Sequence, residues 1–99
     1  MASPRYLSLA TCHRWEPLAE ALGVSEVARS SRGFLAAYES AGGRPERLSE
    51  WWRRRRDNFV ARHVAQAKAR GEPWWRDGEP TRRHLALLMW AYSPTPSKL

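Results

Sequence analysis

The chain has one cysteine, Cys12, so no internal disulfide is available to it, as suits a reducing compartment. Cys12 and His13 are adjacent, and no second pair stands at ligand spacing, which leaves a zinc site without support. There is no apolar stretch near the roughly 20 residues of a membrane span, and no signal-like hydrophobic segment near the N-terminus. These absences predict a cytoplasmic protein with no membrane partner. Glycine-rich phosphate loops and nucleophile elbows are missing too. His63 falls on a packing stripe, and His84 has no nucleophile beside it in sequence. The reading is therefore a non-enzyme with no catalytic residues, metal or cofactor.

Lysine is scarce and acids are unevenly spread. Of 17 basic residues, only Lys68 and Lys98 are lysine; the rest are arginine, the cation suited to forked contacts with phosphate or carboxylate and to stacking on aromatics. Residues 1–43 hold four arginines against four glutamates. Residues 44–99 hold thirteen bases against six acids, and so carry the whole net charge of +7. A polyanionic partner follows from that excess, although codon bias alone also enriches arginine. With 42% hydrophobic residues and six tryptophans among 99 residues, the composition is that of a folded chain and the length that of a single domain, 1–99.

Helical signals dominate. Residues 1–14 lack periodicity and read as a loose arm. A short helix from Glu16 to Leu22 would turn Leu18, Ala19 and Leu22 inward and end at Gly23. Ser25 is placed to cap a second, Glu26 to about Ser30, and a third spans about Arg32 to Ser40. A long helix of about 50–70 starts after Ser49 and stops at Gly71. The connector 72–80 contains Trp74-Trp75; if it is extended, one ring points inward and the other outward, either as a contact for a protein partner or packed over Arg76 or a long-helix arginine as a cation–π lid. The last helix, about 81–92, is apolar nearly all round from Leu85, which places it centrally or against another chain. Residues 94–99 read as a frayed tail. The predicted fold is all-α: a compact bundle of four or five helices, with the long helix packed on the C-terminal one.

The segment Leu18 to Ser25, with Ala19, Gly23, Val24 and Ser25, resembles the first helix and turn of a helix-turn-helix over about ten residues. Arg29 stands where that motif has an apolar core residue, so the segment reads better as a plain helical corner.

The run Trp51-Trp52-Arg53-Arg54-Arg55-Arg56 opens the long helix. Four successive arginines sweep about 300° around a helix, so they cannot share one face. On the wheel, Trp52 and Arg56 join Phe59, Val60, His63, Val64 and Ala67 on the core stripe. Arg56 and Trp52 are accordingly expected as structural anchors, with Glu39 as a partner for the guanidinium. Trp51, Arg54, Arg55, Asn58 and Arg62 turn outward. They form the candidate surface for nucleic acid, DNA above all, with arginines on phosphates, Trp51 stacking and Asn58 at a base edge. Arg82, Arg83 and His84, at the start of the last helix, are a second candidate for anions, because the helix terminus there already carries positive potential. The competing reading is a small adaptor that binds an acidic protein surface or self-associates through tryptophan-rich apolar surface.

Overall fold

The structure, a computed structural model, describes residues 4–99. It contains α1 (Leu9–Ala21), the single turn α2 (Glu26–Arg29), α3 (Phe34–Ser40), α4 (Glu50–Arg70) and α5 (Arg82–Leu88), with a two-residue hairpin of β1 (Trp75–Arg76) and β2 (Glu79–Pro80) before α5. The fold is an all-α bundle, with α5 at its centre between α1 and α4.

The boundaries of α4 follow from local chemistry. Ser49 Oγ accepts the Trp52 N–H, and Gly71 closes the helix in the left-handed conformation at φ 63°. Between them the stripe Arg56, Val60 and Ala67 is buried, flanked by half-buried Trp52, Phe59, His63 and Val64. Phe59 stacks on Trp90 at 4.7 Å, and Trp90 stacks in turn on Phe34 at 5.1 Å, which ties α4 and α3 to the chain following α5. Leu85, Leu87, Leu88 and Met89 are fully buried. Each contributes on the order of 1.5–3 kcal/mol of hydrophobic stabilisation. Both apolar faces of the last helix are thus covered from within the chain, which removes the argument for self-association drawn from them.

Several boundaries differ from expectation. The first helix begins at Leu9, not Glu16, so the loose arm cannot reach residue 14; residues 1–3 lie outside the described residues. Ser8 caps α1 through the Thr11 N–H; the helix contains Pro17 and buries Cys12 and Ala19 on its inner face. Leu22 is 42% exposed rather than inward. Ser25 sits at φ 56° without a side-chain capping bond. The last helix ends at Leu88, four residues early, because Ala91 adopts φ 57° and the Leu87 carbonyl accepts the N–H groups of both Trp90 and Tyr92. Nor is the end of the chain a frayed tail. Pro96–Lys98 form a 3-10 turn, Thr95 accepts the Trp75 indole N–H at 3.0 Å, and Leu99 packs on the core.

Candidate functional site

Helical phase divides the arginine run. Trp51, Arg53, Arg54 and Arg55 are exposed, as are Asn58 and Arg62 further along α4, whereas Arg56 is fully buried. Trp51, Arg55, Asn58 and Arg62 follow one another at helical spacings of four, three and four residues. They make a continuous strip about 16 Å long at 1.5 Å per residue. Trp51 leads it with 59% of its surface exposed. Its ring meets Trp52 edge to face at 4.7 Å, and the Arg55 guanidinium lies 5.0 Å from its centroid. Arg54 sits at the border of the strip and pairs with Glu50 at 2.9 Å, an exposed contact of small energetic weight.

Beside the strip runs a groove of about 800 Å³, within the size range of ligand sites. Arg55, Asn58 and Arg62 form one wall, Phe59 and Trp90 line its base, and the corner Gly23, Ser25, Glu26 and Val27 forms the other wall. A shallower extension of about 460 Å³ shares Gly23, Ser25 and Phe59 and continues past His63 to Arg82, Arg83 and Glu72. Among the described residues, no carboxylate lies within ion-pair distance of Arg55, Arg62 or Arg82. Arg82 instead donates to the Leu22 carbonyl at 2.7 Å.

Arg83 and His84 differ from the expected anion site. Arg83 grips Glu72 through Nε at 2.6 Å and Nη2 at 3.3 Å, and its Nη1 reaches Gln66 and His63 Nδ1. Its charge is thereby matched inside the protein, and Arg83 holds the Glu72 carboxyl below the usual carboxylate range. An arginine only donates, so His63 must present a bare Nδ1 and is neutral. Burial, followed by the charges of Arg83 and Arg62, lowers the His63 pKa.

His84 is fully buried and lines neither the groove nor its extension. Its Nδ1 meets the Trp74 carbonyl at 2.9 Å, so this nitrogen carries the proton; Nε2 accepts the Ser93 hydroxyl at 2.8 Å, and Ser93 Oγ accepts the Thr95 N–H. Trp74 and Trp75 both pack edge-on against its ring, and neither is the outward contact expected of the connector. Burial lowers the His84 pKa. The Cys12 thiol, pushed by burial up to about 12, is inert.

The two histidines give stability a pH dependence. Their folded pKa values lie below the ordinary 6.5, so the unfolded chain takes up protons first as the pH falls. Their contribution is complete above that value and is lost as the pH drops through it toward the folded values. Urea unfolding should show stability falling between pH 7 and pH 5, with a shallower fall in a His84→Asn variant. A flat wild-type profile would contradict the neutral buried network.

The anchor Arg56 is not partnered by Glu39, which is exposed on α3. Its guanidinium donates to the carbonyls of Pro4, Arg5, Trp90 and Ala91 and to Asp57, and lies 3.8 Å over the Tyr6 ring. The opposite wall of the groove, the role of Phe59 at its base and the Glu72–Arg83–His63 cluster have no local signal in the sequence. Their partners are between 11 and 39 residues apart. No protein-family model, curated protein or solved structure matches the chain.

Proposed function

We propose that the chain is a non-enzymatic module that binds nucleic acid, DNA foremost, through the exposed strip of α4 and the groove beside it. The observation that carries this reading is the alignment of Trp51, Arg55, Asn58 and Arg62 on one exposed line. Among the described residues, neither arginine on it has an acid within ion-pair distance. Guanidinium groups neutralise phosphates, an exposed indole accepts a base face, and a carboxamide reaches base edges. Arg82, across the extension of the groove, adds a further cation, while Arg83 and His84 serve the fold.

Fluorescence anisotropy of labelled DNA, at about 50 and 200 mM salt, is the test, because phosphate contacts weaken as salt rises. The expected result is binding at low salt that weakens steeply at the higher concentration. A double variant, Arg55→Ala with Arg62→Ala, should fold normally, bind at least about tenfold more weakly and lower the salt slope by roughly 1.4–1.8, which is 0.7–0.9 per phosphate contact. Absence of binding at low salt would end this reading.

A second reading, an adaptor for an acidic protein surface, rests on Val27 and Leu22. They are 74% and 42% exposed, Val27 on the wall of the groove and Leu22 at the end of α1. A protein partner would bury them, so Val27→Ser would weaken that partner more than it weakens DNA binding.

A further inference from the structure

Resting on the nucleic-acid reading, we infer that the preferred ligand is a single strand, with an unpaired base stacked on Trp51 and its neighbouring phosphates seated against Arg55 and Arg62. Two features of the surface lead there. The first is the state of Trp51. It is the one aromatic among the exposed large hydrophobic residues described, and it is held in place: Trp52 braces it edge to face and Arg55 lies against the ring. Phe59, by contrast, is half-buried and already stacked on Trp90 and His63, at 4.7 Å and 4.0 Å, so it serves as the floor of the groove. A positioned, accessible indole beside unpaired arginines is what base stacking next to a phosphate requires. In a single strand every base offers its face; in a duplex those faces are covered by neighbouring pairs, and reaching one requires unstacking.

The second feature is the groove's other wall. Across from Arg55, Asn58 and Arg62 stand Val27 and the carboxylate-bearing Glu26. A duplex laid against α4 would bring phosphates of its second strand toward that wall, where Glu26 repels them. One strand following the α4 wall meets Arg55 and Arg62 and stays clear of Glu26. Asn58, between the two arginines, is then placed at the edge of a base that has no Watson–Crick partner competing for it.

The experiment uses the full chain with a fluorescein-labelled oligodeoxythymidylate 20-mer and a labelled 20-base-pair duplex, both at about 50 mM salt, where phosphate contacts are strong. Single-strand affinity should exceed duplex affinity by about tenfold or more, and Trp51→Ala should lower it by about ten- to hundredfold, the scale of one lost base stack. Trp51→Ala should weaken duplex binding several-fold less than single-strand binding, and Trp51→Phe should recover part of the single-strand loss. Trp51→Leu keeps apolar bulk without a π face and guards against a merely structural effect; it should bind as poorly as Trp51→Ala. Equal affinity for both probes, equal losses on both in Trp51→Ala, or full binding by Trp51→Leu overturns the single-strand assignment while nucleic-acid binding stands. Failure to bind either probe overturns both.

Discussion

Replacing Arg56 with alanine is expected to cost about 3–5 kcal/mol of stability, read as a shift of the urea unfolding midpoint at unchanged slope. The guanidinium is fully buried and all its donors are engaged. Nε donates to the Trp90 carbonyl at 3.0 Å, Nη2 to Arg5 at 2.7 Å and Ala91 at 2.8 Å, and Nη1 to Pro4 and, at 3.1 Å, to Asp57. These acceptors lie on three separate stretches of chain: the segment before α1, α4 itself and the turn after α5. That turn holds Ala91 at φ 57°, a conformation alanine adopts at a cost, and the Ala91 carbonyl also accepts the Leu7 N–H at 2.8 Å. The alanine variant would leave four carbonyls short of a partner and the Tyr6 ring without its cation. Whole-domain stability is about 5–15 kcal/mol, so the loss approaches the limit of folding. Arg56→Lys tests the fork itself: an ammonium has three donors and no plane to lie on Tyr6, and more than half of the loss should persist. A loss below about 1 kcal/mol in Arg56→Ala, the worth of one ordinary hydrogen bond, would contradict the geometry.

Arg56 also shows what the sequence discloses and what it withholds. Its place on the core stripe follows from spacing alone, because 52, 56, 59, 60, 63 and 67 recur at helical period and no proline or glycine interrupts α4. The same spacing sends Trp51, Arg55, Asn58 and Arg62 outward. Partners are another matter. A buried guanidinium suggests a carboxylate such as Glu39, but main-chain carbonyls serve equally well, and every residue has one. The first helix was hidden for a related reason: its fully buried face consists of Cys12 and Ala19 alone, too little to raise a periodic signal, and Pro17 interrupts the pattern. At α5 the argument from the helix terminus was sound but incomplete. Positive charge there does need a counter-charge, and Glu72 from the connector supplies it, so Arg83 is matched within the fold. The groove is invisible locally because Gly23 to Val27 meets α4 only after the chain has turned through α3.

The second large effect is expected at Gly33, in the turn between α2 and α3. Gly33→Ala should destabilise the protein by about 3 kcal/mol, at the upper end for overpacking, in the same unfolding measurement. Its backbone is extended, at φ −91° and ψ −175°, a conformation open to any residue, so the penalty is not conformational. It is steric. A Cβ at Gly33 would overlap the carbonyl oxygens of Val27 and Ala28, and main-chain atoms cannot swing aside as a side chain does. Relief requires α2 to move away from α3, which loosens buried Ala28 and the adjoining Phe34 and Leu35. Gly78→Ala separates the two kinds of cost. There φ is 79° and a Cβ would meet open space, so only the left-handed penalty of about 1–2 kcal/mol applies. Because α2 also carries Glu26 and Val27, its displacement should alter the groove while leaving Arg55, Asn58 and Arg62 in place on α4. A Gly33→Ala protein as stable as Gly78→Ala would mean that α2 and α3 do not meet backbone to backbone, and the groove's far wall would have to be drawn elsewhere.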